Sequence, residues 1–222
     1  MMTSPPRPPL ALTVGVVGHR PNRIPSAATA RIAADIAAIL RAVTSACEAA
    51  RALHADVFAD TPVRPVLLSA LAEGADRHAA LAALDEGVAL AVALPFPVAD
   101  YERDFAERGS RDEYHRLIAA AERVMVLPGR RDAPPSAYDA VGTVIIENSD
   151  LIVAVWDGGE SAGKGGTTDL VERAAEAGMP VVHVDALGKQ PPRILWSGLA
   201  VHPVGGLDVG HLPVADAYAA MP

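Results

Sequence analysis

Aromatic side chains are scarce in this chain, 4% of 222 residues, so aliphatic residues and alanine must fill its core. A single cysteine, Cys47, excludes an internal disulfide and fits a reducing compartment without proving one. It falls on the apolar stripe of a predicted helix, as a small buried hydrophobe does. Positive charge is in deficit, with 19 Lys and Arg against 27 Asp and Glu and a net charge of -8. Nucleic acids and anionic membranes are poor default partners for such a chain, and nucleic acid is not an expected ligand. No apolar run reaches the roughly 18 residues that cross a bilayer. Leu10–Gly18 imitates the apolar part of a signal peptide. Its leader Met1–Pro9 holds one arginine and four prolines, and no small-residue cleavage pattern follows. The expectation is a cytoplasmic protein with a proline-rich tail. The seven histidines are scattered without ligand spacing. No metal site and no cofactor are expected, beyond a magnesium ion that phosphates could bring with them.

What is present is a regular alternation of strand and helix signals. The apolar runs Ala11–Gly18, Pro65–Ala70, Val88–Leu94, Arg123–Leu127, Leu151–Trp156 and Pro180–Val184 read as strands. Helices are predicted from an N-cap at Ser26 to about Leu53, over Glu73–Glu86, over 100–121 with a break at Gly109–Ser110, over Ser136–Ser149 and over Thr167–Ala177. One further edge strand, Gly198–Pro203, is expected near the end. Continuous apolar strands alternating with helices predict a Rossmann-like, doubly wound α/β fold, with a mainly parallel sheet of about six or seven strands covered on both faces. The predicted division is a disordered tail over 1–10, one nucleotide-binding domain over 11–205 and an extension over 206–222.

In such a sheet ligands bind beyond the carboxyl ends of the strands. Gly18-His19-Arg20 follows the first strand and offers close backbone approach and a forked phosphate donor. Ser69-Ala70-Leu71-Ala72-Glu73-Gly74-Ala75-Asp76 runs from the second strand into a helix, whose N-terminus suits an anion or merely a cap. Leu94-Pro95-Phe96-Pro97 follows the third. Tyr101 and Arg103 beyond it fit a solvated helix face better than a ligand cover. Asp157–Thr168 follows the fifth strand and carries the strongest signal, five glycines within Gly158–Gly166. So many glycines are costly to order, and their N–H groups with Thr167, Thr168 and Lys164 can cradle phosphate at the helix start. Gly158, Gly163 and Lys164 match the spacing of a P-loop, but Gly165 replaces the Ser or Thr that would hold magnesium, which argues against an ATPase or kinase.

Taken in order, Val14–Arg20, Leu68–Asp76, Ala93–Phe105, Ser149–Gly158 and Gly163–Thr167 make the chain resemble the SLOG family of the Rossmann-like SMF/DprA–LOG group. The resemblance implies binding or sensing of a nucleotide or nucleotide-derived signal, as in bacterial antiphage defence, in a homo-oligomer with a separate or fused effector. By position it implies Gly18, His19, Arg20, Ser69, Glu73, Gly74, Asp76, Pro95, Asp157, Gly165, Gly166 and Thr167 as ligand neighbours. Relatives include the Lonely Guy phosphoribohydrolases, which cut the base from a nucleoside 5′-monophosphate, and DNA-processing protein A, which binds single-stranded DNA. The hydrolase motif places glutamate three residues after the threonine. This chain has Leu170 there, with Asp169 one position earlier. A positioned carboxylate is needed to stabilise a cationic sugar, so binding without cutting is favoured unless Asp169, Glu73 or Asp76 substitutes.

Overall fold

The computed structural model describes residues 5–159, 165–196 and 200–203. Eight strands form one sheet: β1 (Ala11–Gly18), β2 (Arg64–Ser69), β3 (Ala89–Leu94), β4 (Arg123–Val126), β5 (Leu151–Trp156), β6 (Val181–Asp185), β7 (Arg193–Trp196) and β8 (Ala200–Pro203). Their order is β4-β3-β2-β1-β5-β6-β7-β8. The first six are parallel, and β7 and β8 add an antiparallel edge. The fold is the expected Rossmann-like α/β arrangement with one strand more than the upper expectation. The extra strand is β7, a short run beginning at Arg193 that shows no apolar alternation. The extension 206–222 lies outside the described residues.

Period-two alternation sends neighbouring strand residues to opposite faces. Val14 and Val16 share a core with α1 (Thr29–Leu53) through Ile32, Ile36 and Leu40 and with α2 (Ala75–Asp85) through Ala79 and Ala83. Val17 and Ile152 meet α5 (Pro134–Glu147) and α6 (Thr167–Glu176) through Val141, Ile145 and Val171. Both faces are thus covered across the middle of the sheet. The edge strand β4 departs from this. All its residues are exposed, and Val124, Met125 and Val126 keep 40%, 43% and 46% of their surface.

Four helix starts differ from expectation, two of them by only two residues, with α2 opening at Ala75 rather than Glu73 and α5 (Pro134–Glu147) at Pro134 rather than Ser136. Ser26 opens a short 3-10 turn after Pro25, and α1 begins at Thr29 with no side-chain cap. The break predicted at Gly109–Ser110 lies earlier. Helix α3 (Val98–Tyr101) and a 3-10 turn (Glu102–Asp104) end at Phe105, which is extended at φ -104° and ψ 103°. Helix α4 (Arg108–Ala120) then runs through both residues. Phe105 sets the break because it is buried in an aromatic cluster with Tyr101 and Tyr114. Gly109 stands in the first helical turn with open space around it, where its lack of a side chain costs little.

Candidate functional site

The sheet reverses its direction of growth at β1, which pairs with β2 on one side and β5 on the other. Helices therefore leave the β1 and β5 ends toward opposite faces, and a crevice opens between them. Gly18 and Gly74 let the loops there close. A Cβ on Gly18 would come within 2.4 Å of the Ala75 Cβ. Gly74 has φ +96°, and a Cβ on it would come within 2.6 Å of the His19 carbonyl oxygen. The Ala75 N–H donates to that same carbonyl at 3.1 Å.

A cavity of about 330 Å³ fills the crevice. Val16, Val17, Val141, Ile145 and Leu170 make its apolar floor, and Arg20, Asp76, Tyr101, Tyr138, Gly165 and Thr167 supply its polar groups. The Arg20 guanidinium stands 5.7 Å from the centroid of the Tyr138 ring and enters no ion pair among the described residues. The Tyr138 hydroxyl donates to Asp104, which also takes Arg131. Asp76 is 6% exposed. Burial pushes its carboxyl up to about 7, against the opposing pull of the Ala72 N–H, the Arg20 charge, the Ala70 N–H and Arg77. Burial, and then the charge of Asp76, pushes the Tyr101 hydroxyl upward as well.

Of the residues singled out in the sequence, Gly18, Arg20, Asp76, Gly165 and Thr167 line this cavity. Glu73 and Gly74 line a second one of about 510 Å³ on the far side of the same loop. His19 and Asp157 meet each other at 2.9 Å, and Arg23 joins Asp157 at 2.6 Å. Partial burial pushes the Asp157 carboxyl up, but His19, the Gly159 N–H and Arg23 outweigh it and hold it at about 2. These groups tie the β1 and β5 ends together and do not line the cavity. Ser69 is fully buried, and its Oγ accepts the Leu71 N–H at 3.0 Å. Pro95 turns its carbonyl against Gly129. Gly166 directly precedes α6. Gly163 and Lys164 lie outside the described residues.

Thr168 bridges two elements. Its Oγ1 accepts the Trp156 indole N–H at 2.9 Å and donates to the Gly159 carbonyl at 2.9 Å. The near-isosteric Thr168→Val removes both bonds and leaves a half-buried indole N–H unpaired. Urea unfolding is expected to show a loss of about 1–3 kcal/mol.

The three candidate carboxylates part company. Asp169 accepts the Gly165 N–H at 3.0 Å and faces Arg173 at 3.5 Å. Glu73 accepts from Ser110. Only Asp76 enters the cavity, and Leu170 presents an apolar wall to it. No group of three or more His, Cys, Asp or Glu suited to a metal occurs among the described residues. The same residues include no helix long and apolar enough to cross a membrane.

Strand-end reasoning passed over two walls of this cavity. Tyr138, Val141, Gly142 and Ile145 come from α5, which follows β4, the one strand of the first five whose following loop carries no expected ligand residue. Tyr101 is 1% exposed rather than solvated, and lines the cavity. Tyr138 near a helix start, four residues before a mid-helix glycine, was the available signal.

No protein-family model and no curated protein matches the chain. Among solved structures it is similar to DNA processing protein A from Streptococcus pneumoniae, at 18% identity and a TM-score of 0.48, over 82% of this chain and 54% of that one. It thus spans about half the length of that protein. TM1055, a structural genomics target, is similar at 14% identity and a TM-score of 0.43, over 77% and 72% of the two chains. DNA processing protein A from Helicobacter pylori is similar at 15% identity and 0.43, over 78% and 64%. DNA processing protein A is one of the relatives named by the sequence resemblance. Likeness at this level carries no ligand and no activity.

Proposed function

We propose that this chain binds a nucleotide or a nucleotide-derived anion in the 330 Å³ cavity at the β1–β5 switch point. The observation that carries the reading is the Arg20 guanidinium, free of an ion-pair partner among the described residues, on the same cavity as Gly165 and Thr167 at the start of α6. A forked cation facing a helix N-terminus suits phosphate oxygens. The volume sits at the low end of small-ligand sites, which suits one nucleoside monophosphate unit. The apolar floor under Tyr138 and Val141 offers a surface for the base. A signalling role, including defence signalling in a homo-oligomer with an effector, rests on the family resemblance and is part of the same proposal.

Cleavage of the glycosidic bond is the second reading. Leu170 disfavours it, because an apolar wall cannot stabilise a sugar cation. Asp76 would have to act alone from a buried, hard-to-ionise position. The third reading is an oligonucleotide, by analogy with the Helicobacter protein, whose single-stranded DNA binding mode its structure describes.

Isothermal calorimetry with AMP, ADP-ribose, a cyclic dinucleotide and an oligothymidylate tests these together. The expected result is one-to-one binding of at least one of the small ligands, with no adenine released from AMP on chromatography. Silence from all of them at millimolar concentration overturns the proposal. Salt-sensitive binding of the oligothymidylate alone overturns it in favour of single-stranded DNA.

A further inference from the structure

The loop from Ala70 to Asp76 is a thin partition between two cavities. Ala70, Ala72 and Asp76 face the ligand cavity, and Glu73, Gly74 and Arg77 face the larger one. Within the partition Leu71 is fully buried and has φ +57°, the one non-glycine residue in the left-handed region among the described residues. A branched side chain holds that conformation only where its surroundings enforce it. Two groups grip its peptide units. Ser69 Oγ accepts the Leu71 N–H at 3.0 Å, and Arg77 Nε donates to the Leu71 carbonyl at 3.2 Å.

Arg77 is itself 3% exposed and anchored on α4. Its Nη1 donates to the Ser110 carbonyl at 2.8 Å, to Ser110 Oγ at 2.7 Å and to Glu113 at 3.3 Å. Its guanidinium carbon lies 4.2 Å from the centroid of the Phe105 ring. One side chain thus reaches from α4, past the aromatic cluster, to the strained turn beside Asp76. The Ala72 N–H donates to Asp76 Oδ2 at 3.3 Å, so the turn and the carboxyl are bonded to each other.

We infer that Arg77 is a positioning residue of the ligand cavity, fixing the Leu71 turn to α4 and so holding Asp76 in the cavity wall. The inference rests on the proposed function only in taking this cavity as the ligand site. The test needs no ligand, so its failure and a failure of AMP binding are separate results.

Carbon-detected NMR titration of the Asp76 carboxyl, with amide hydrogen exchange at Leu71, distinguishes positioning from simple charge. Among the described residues, the other charged or titratable groups on the cavity with Asp76 are Arg20, Tyr101 and Tyr138. In the wild type, burial pushes the Asp76 carboxyl up to about 7, and a titration near that value is expected. Arg77→Lys keeps the charge and loses the fork. If Arg77 positions the turn, Asp76 gains water in this variant and falls toward an ordinary value of about 4. The Leu71 amide then exchanges faster by about a hundredfold, with the β1 amides unchanged. In Arg77→Met, loss of the positive charge alone would raise Asp76 further, whereas loss of position lowers it. Ser110→Ala with Glu113→Ala removes the two side-chain holds of α4 on Arg77 at half-buried positions, leaving only the Ser110 carbonyl bond. It serves if an Arg77 variant fails to fold, and the same direction is expected. The inference is overturned if Asp76 holds its titration in Arg77→Lys or rises in Arg77→Met. It is overturned equally if the Leu71 amide stays protected in the double variant.

Discussion

Asp76→Asn is expected to remove the steepest part of this protein's dependence of stability on pH. The Asp76 carboxyl is raised from 3.8 to about 7 in the folded chain, chiefly by burial. Between those values the native state holds a proton that the unfolded chain has released. Stability from this group is therefore full below about pH 4, falls as pH rises to about 7, and is flat beyond. Three units correspond to roughly 4 kcal/mol, an upper bound because a buried carboxyl draws in water as it ionises. Asparagine carries no such charge, and its one carbonyl oxygen can still take the Ala72 N–H. It loses the second backbone contact, at Ala70, at about 1 kcal/mol. The variant is thus expected to be about as stable as the wild type near pH 4.5 and more stable by about 2–3 kcal/mol near pH 8. Urea unfolding at a series of pH values, taken as the difference between the two proteins, cancels the histidines and surface carboxylates they share. Parallel curves from pH 4 to 8 would mean that Asp76 is solvated and ionised in the folded chain.

The parts of this site written in local chemistry were legible in the sequence. β1 and β5 run over the predicted Ala11–Gly18 and Leu151–Trp156, because unbroken apolar runs bounded by polar or glycine residues have one stable outcome in a covered sheet. Their carboxyl ends then had to meet at a switch point. Residue type alone could not say which polar group at a strand end turns to a ligand and which turns to a neighbour. His19, Asp157 and Thr168 are as suited to phosphate as Arg20 and Thr167. They are spent on each other, on Arg23, on Trp156 and on Gly159, across separations of 9 to 138 residues. Asp169 shows the same limit. A shift of one position round α6 turns it to Gly165 and Arg173 and gives its place on the wall to Leu170. The aromatic wall was hidden differently. Tyr101 and Tyr138 line the cavity, and Phe96, Phe105 and Tyr114 back them from separate elements that meet only in the folded chain.

Arg20→Ala is expected to weaken binding of the small ligand by about 30- to 100-fold, or roughly 2–3 kcal/mol. That is the worth of a charge-assisted hydrogen-bond pair in a partly desolvated site. The same change is expected to leave thermal stability within about 0.5 kcal/mol, as for a side chain that holds no ion pair among the described residues. Arg20 has no ion pair among the described residues and lies 5.7 Å from the Tyr138 ring, so the folded chain draws little from it. The contrast with Arg23 is built in. Arg23 sits only a few residues along the same loop but is bonded to Asp157 at 2.6 Å, and Arg23→Ala should disturb the loop through that bond rather than through the ligand. Arg20→Lys places a point charge where a planar fork stood and should recover part of the affinity, with the strongest dependence on salt. Calorimetry on the three variants, with whichever nucleotide binds the wild type, separates these outcomes. Wild-type affinity in Arg20→Ala would move the phosphate away from the β1 end and leave the start of α6 to hold it alone.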